Sequence, residues 1–195
     1  MNAENSEPIL KNIAKHISIS RPEVEIIKSS LNFKRIKKRQ YLLQAGDICR
    51  TENFVATGLL RAYTSDEKNN EHTLMFGLED WWISDLYSFL TETPSMINIE
   101  ALENTEVICI EKAKLENLYK SIPKFERLMR ILFQNAFVAQ QQRILESISL
   151  SAEKKYSNFI KKYPSLEQRI PQTLIASYLG MTPETLSRIR KQWSQ

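Results

Sequence analysis

The sequence predicts an α+β protein: an antiparallel β-barrel or sandwich, then a long helix, then a helical C-terminal domain. Three observations carry this. Six short apolar or alternating runs separated by turn signals lie between Tyr41 and Ile110, the pattern of an all-β sandwich or barrel. One long run of helical spacing follows Pro123. Two short helical segments meet at Gly180 near the end of the chain.

In chain order, Ile9, Ile13 and Ile17 recur every four residues and predict a first helix. Arg21-Pro22-Glu23 opens a second one through Val24, Ile27 and Leu31. The basic run Lys34–Arg39 falls on exposed strand and turn positions. The strands are expected at 41–43, 53–56, 59–63, 73–76, 97–101 and 107–110, and the polar stretch 65–71 is a hairpin tip. A short helix covers 112–120 and a long one covers 124–148. The long helix carries one stripe of Leu128, Leu132 and Ala139, and another of Met129, Phe133, Phe137, Ile144 and Ile148. A helix apolar on two sides must bury both. The barrel takes one side, and a symmetric copy of the chain is expected on the other. A further amphipathic helix with Tyr156, Phe159, Ile160 and Tyr163 ends at Pro164. The expected domains are 1–122 (barrel), 123–150 (dimerisation helix) and 151–195 (C-terminal domain).

Composition narrows the function classes. With 195 residues, 42% hydrophobic and 26% charged, the chain suits one large or two small folded domains. No stretch approaches the roughly 18 apolar residues of a membrane span, and the polar, acidic start Met1–Pro8 has no apolar signal core behind it. A cytoplasmic protein without a membrane partner is expected. Cys49 and Cys109, each beside isoleucine, are expected as small buried hydrophobes. No metal or other cofactor is expected, because His16 and His72 are the only histidines and cannot furnish a cupin-type metal cluster. No nucleophile triad or phosphate-cradling glycine loop appears, so the chain is not read as an enzyme. The net charge is +4, of which residues 151–195 carry +5. That asymmetry suggests a polyanion partner at the C-terminal end.

The segment from Arg169 to Lys191 carries the most information. Ala176 supplies the small residue needed where two helices cross closely, and Gly180, four positions later, tolerates the turn's positive φ. Ile175, Leu179, Met181, Leu186 and Ile189 are spaced to pin both helices to a core. Thr182 is the expected N-cap of the second helix, Pro183 suits its first position and Glu184 complements its dipole. Its exposed face presents Glu184, Thr185, Ser187, Arg188 and Lys191. Arginine can bond guanine O6 and N7, and glutamate can accept from cytosine N4. The first helix's N-terminal amides, near Gln172 and Thr173, can hold a phosphate. These features together predict a helix-turn-helix whose recognition helix, 183–192, enters the major groove of double-stranded DNA. Arg188 and Glu184 read bases, and Thr182, Thr185, Arg190 and Lys191 position the helix.

With these residues in view, the chain resembles the Crp/Fnr family over about 20–192. Gly46-Asp47 and Gly58 match the family's barrel turns. Trp82-Ile83-Ser84-Asp85-Leu86 falls at its phosphate-binding cassette, the helix after Pro123 matches its dimerisation helix, and Glu184 and Arg188 stand at its base-reading positions. The resemblance implies a double-stranded β-helix (jelly-roll) sensor domain, a homodimer, and regulation of transcription with RNA polymerase as a partner. It also implies a ligand pocket at Trp82, Ser84, Asp85, Leu86, Ser95 and Met96, for an unidentified small-molecule effector.

Three departures qualify it. The family's nucleotide binders have Gly-Glu where this chain has Ser84-Asp85, and Arg-Ser where it has Ser95-Met96. Without that arginine a buried cyclic phosphate lacks its countercharge, so tight cyclic-AMP binding is not expected. The N-terminal cysteine cluster of the oxygen-sensing relatives is absent. The sequence stops three residues after Gln192, so the expected domain lacks a hairpin wing, and Pro183 replaces a basic residue common at its position. The alternative is a sensor or scaffold with the same barrel that no longer binds DNA. Trp81, Trp82, Tyr87 and Phe89 are expected in the core.

Overall fold

The computed structural model describes residues 5–193. Packing divides the chain into two units. The first comprises the chain up to Thr64 together with Phe76–Gln134. The second comprises Ser65–Met75 together with the chain from Asn135 on.

The first unit opens with α1 (Glu7–Ala14) and α2 (Arg21–Ser30). Helix α2 starts in a capping box, in which the Ser20 backbone and hydroxyl both donate to the Glu23 carboxylate. It stops before Leu31, one residue short of the expected end, because Leu31 is already extended and pairs with Ile110 in the sheet. Strand β1 (Leu31–Ile36) begins there. Then come β2 (Tyr41–Leu43), β3 (Thr51–Thr57), β4 (Leu60–Ser65), β5 (Glu71–Gly77), β6 (Trp82–Ile83), α3 (Leu86–Thr91), β7 (Asn98–Ala101), β8 (Thr105–Glu111) and α4 (Lys112–Ser121).

The strands form two four-stranded sheets, ordered β1-β8-β3-β6 and β2-β7-β4-β5. The registers of β1 and β3 on β8, of β6 on β3, and of β2 and β4 on β7 are all antiparallel. With the flanking helices this is the expected α+β jelly-roll. Strand β8 reads Val107-Ile108-Cys109-Ile110 and is buried on both faces, as a central strand covered on both sides must be. Gly58 connects β3 to β4 at φ 91°, and a Cβ there would lie 2.5 Å from the Thr105 hydroxyl and 2.6 Å from the Asn104 carbonyl. Both conformation and space therefore exclude a side chain. Cys49 and Cys109 are free and buried, and burial pushes the Cys109 thiol up to about 11.

Helix α5 (Lys124–Ser149) belongs to both units. Its start packs Phe125, Leu128 and Met129 into the core of the first. The second unit continues with α6 (Ala152–Lys162), α7 (Leu166–Arg169), α8 (Gln172–Leu179) and α9 (Pro183–Trp193). The expected boundaries at 122/123 and 150/151 thus differ from the packing division. The compact units part within α5, and the β4–β5 hairpin tip packs with the C-terminal helices. Among the described residues no helix is long and apolar enough to cross a membrane.

Two aromatic expectations need correction. Tyr87 is 66% exposed and Trp81 is also exposed, whereas Phe89 is buried. Helix α3 has six residues, and turning Ser88 and Phe89 inward leaves Tyr87 and Leu90 on its outer side.

Candidate nucleic-acid interface

Helix α8 buries Ile175 and Ala176 completely, against Leu186 and Ile189 of α9, which are buried as well. A larger residue at 176 would meet the crossing helix. Gly180 ends α8 in the left-handed region at φ 65°, ψ 40°. The Met181 amide reaches back to the Ala176 carbonyl at 3.0 Å, closing the last turn as glycine-terminated helices do. Space is open around Gly180, so its role is conformational alone. Helix α9 then starts on Thr182, whose hydroxyl accepts the Thr185 amide at 3.2 Å. Glu184 sits in that first turn. Its own backbone amide and the Thr182 hydroxyl hold its carboxyl below the usual range, so it is an acceptor at neutral pH.

The two helices frame an open groove of about 640 Å³ lined by Gln172, Thr173, Pro183, Glu184, Ser187, Arg188, Lys191 and Gln192. Six of the nine residues expected to touch DNA are here: Gln172, Thr173, Glu184, Ser187, Arg188 and Lys191. At one end the first turn of α8, preceded by Pro171 and carrying no side-chain cap, directs backbone N–H groups outward. Such a turn suits a phosphate oxygen. Along the other wall Glu184, Arg188 and Gln192 stand four residues apart on one helix face.

The remaining three expected residues are placed differently. Thr182 is exposed at the rim but caps α9. Thr185 is half-buried and accepts from the Thr182 hydroxyl. Arg190 turns inward: its Nε lies 3.0 Å from Glu167, whose carboxylate also accepts the Tyr156 hydroxyl. Gln192 was not anticipated, although its spacing from Arg188 was the available signal.

In the first unit, the residues expected at a phosphate cassette satisfy one another. The Asp85 carboxylate accepts from the Ser88 amide and, at 2.7 Å, from the Ser95 hydroxyl. Ser88 donates to the Thr93 carbonyl and accepts from the Cys49 amide. Ser84 donates to Glu52 at 2.8 Å, and the Trp82 indole donates to Asn12. Leu86 is half-buried, and Met96 is exposed. Lys112 spans the C-terminal end of α3, bonding the Phe89 carbonyl and Glu92. Carboxylates and hydroxyls occupy the cassette, and Ser95 gives its proton to Asp85.

Comparison with known proteins places this architecture. The cyclic nucleotide-binding domain family model matches residues 33–121. The regulatory protein HlyX of Actinobacillus pleuropneumoniae is 28% identical over 169 residues, 80% of this chain and 69% of that protein. The anaerobic regulatory protein of Haemophilus influenzae is 30% identical, with 80% of this chain and 64% of its own length aligned. The chain thus spans about two thirds of these relatives. A solved Crp/Fnr-family regulator from Eubacterium rectale superposes with a TM-score of 0.68 at 20% identity, over 90% of this chain and 84% of that one. In sequence the chain is thus similar to these regulatory proteins, and in fold to a solved Crp/Fnr-family protein, with a match to the cyclic nucleotide-binding domain family at its centre.

Proposed function

We propose that the chain is a sequence-specific DNA-binding transcription regulator that works as a homodimer. The observation that carries this is the groove between α8 and α9. It combines phosphate-binding backbone groups with a helix face of Glu184, Ser187, Arg188 and Lys191, the donor and acceptor set that base edges require. The names of HlyX and the Haemophilus protein, both regulatory proteins, support the same reading. So does the far half of α5, where Phe137, Val138, Ile144, Leu145 and Ile148 are exposed in the single chain, as a helix awaiting its copy would be. In the dimer, two α9 helices enter successive major grooves about 34 Å apart and read a near-palindrome. Transcription is affected through RNA polymerase.

The sensor domain of this regulator does not take cyclic AMP. An anion at Asp85 and Ser95 meets a carboxylate where it needs a cation. Any effector is of different chemistry.

Selection of bound sites from random duplex DNA tests the reading. The expected product is two inverted half-sites one helical turn apart. A purified chain that ignores every duplex at low salt is instead a sensor or scaffold.

A further inference from the structure

Strand β5 is the outer strand of its sheet, and a strand edge exposes backbone donors and acceptors that need partners. At residues 71–73 those partners come from α8 and α5. The Ser177 hydroxyl accepts the Thr73 amide at 2.9 Å and donates to the Glu71 carbonyl at 3.0 Å. One serine thus does for this edge what a neighbouring strand would do. Beside it, Arg143 of α5 donates through one nitrogen to the Thr73 carbonyl at 2.9 Å and to the Tyr178 carbonyl at 3.1 Å. Its guanidinium lies 4.2 Å from the centre of the Tyr178 ring. Arg143 therefore joins three elements, α5, β5 and α8, in one clamp.

The clamp grips the last turn of α8, next to the Gly180 turn from which α9 departs. Neither Arg143 nor Ser177 lines the reading groove. Thr73 is 2% exposed, and a buried amide left without an acceptor is costly. Losing Ser177 therefore lifts the tip off α8 so that water can reach the Thr73 amide. The tip itself belongs to the C-terminal unit, but β4 and β5 run on as chain into the first unit. The hairpin is covalently part of the sensor sheet and hydrogen-bonded to the helix-turn-helix.

We propose that Arg143 and Ser177 are positioning residues for DNA reading: they dock α8 on the edge of β5, and this docking sets the affinity of the helix-turn-helix for its site. The inference rests on the groove being a DNA interface. It makes the hairpin tip a control point, because a shift of β5 changes DNA affinity through two side chains that never touch DNA. Held in place, α8 and α9 meet the duplex pre-organised. Released, they must be ordered on binding, which lowers affinity.

The test uses the full chain, Ser177→Ala, Arg143→Lys and the double variant, with the duplex chosen by selection. Arg143→Lys keeps the charge, but a compact ammonium cannot lie flat on the Tyr178 ring while its donors reach both carbonyls. Each single variant is expected to bind roughly three- to tenfold more weakly. Base preference and the slope of log affinity against log salt should stay unchanged, because no phosphate contact is lost. The double variant should lose less than the product of the two, since both act through one clamp. Hydrogen exchange read at the Thr73 amide should show protection in the parent and its loss in Ser177→Ala.

Three results overturn the proposal while leaving DNA binding intact. One is parental affinity in both single variants while the Thr73 amide is exposed. Another is full affinity in Arg143→Lys, which marks a simple charge effect. The third is an unprotected Thr73 amide in the parent. A parent chain that binds no duplex fails at the earlier step and takes the positioning role down with it.

Discussion

On the proposed function, single side chains of the C-terminal domain divide into readers and supports, and two arginines two positions apart make the division testable. Arg188 lines the groove, whereas Arg190 is tied to Glu167. Arg188→Ala should cost about 1–3 kcal/mol of DNA binding and relax the preference at one base position. Arg190→Ala should instead remove of order 1 kcal/mol or less from domain stability and leave base preference as it was. Site selection beside thermal melting distinguishes the two, and the opposite assignment of effects would reverse their roles. A third side chain, Glu52, makes a prediction about the barrel. It is 2% exposed, one oxygen bonds Ser84 and the other has no hydrogen-bond partner. Burial pushes its carboxyl from 4.5 up to about 7. The folded protein therefore holds a proton that the unfolded chain releases near pH 4.5. Stability should fall as pH rises from 4.5 to about 7 and then level off, by about 3 kcal/mol at most. Glu23, lowered to about 2, and Asp66, also lowered, act in the acid range below this window and with opposite sign. Glu52→Gln keeps an acceptor for Ser84 and removes the titration. Urea unfolding across pH 4.5–8 should show the slope in the parent and lose it in the variant. A slope that survives the substitution belongs to other groups.

At the scale of elements, the turns that demand glycine are the points where one substitution has a calculable sign. Gly180 and Gly58 both have positive φ, but only Gly58 is also crowded, with the Thr105 hydroxyl and the Asn104 carbonyl inside contact distance. Gly180→Ala should therefore cost about 1–2 kcal/mol, the left-handed penalty alone. Gly58→Ala should cost distinctly more, because the β8 backbone must shift as well. Equal losses in chemical unfolding would mean that the barrel yields freely at that turn. The same contrast shows what the sequence made legible. Gly180, Thr182 and Pro183 announce the helix-turn-helix by local chemistry, because caps and left-handed turns are decided within a few residues. Strand β1 was hidden: Leu31 fits the period of α2, and its extended conformation goes with pairing to Ile110, far along the chain. Helix α3 was hidden because a six-residue helix capped by Asp85 shows too little periodicity. The inward turn of Arg190 depends on Glu167, across a loop and another helix, and the helix period alone cannot report it. The clamp of Ser177 on Thr73 joins residues more than a hundred positions apart, beyond any local pattern.

For the whole molecule the decisive question is the far half of α5. Its first turns are buried, but beyond Gln134 the apolar side chains face solvent: Phe137 is 68% exposed and Ile148 is 80% exposed. Phe137 and Ile144 are seven residues apart, and Ile144 and Ile148 are four apart, the spacing of a seam between paired helices. An isolated chain with such a stripe is expected to associate, and a symmetric pair is the arrangement that closes. The chain should therefore sediment as a dimer at micromolar concentration. Ile144→Glu places a charge in the middle of the seam without touching a buried residue, and should give a folded monomer. DNA binding must fall with it. A dimer engages its second half-site at the high effective concentration set by the first, and a monomer loses that advantage, about a hundredfold or more in affinity. A single half-site, by contrast, should be bound equally by parent and variant, because each α9 and its groove are intact. Sedimentation and binding to whole and half operators thus separate loss of pairing from loss of reading. A parent chain that stays monomeric at tens of micromolar, yet binds a palindrome tightly, would show that the stripe on α5 serves some other contact.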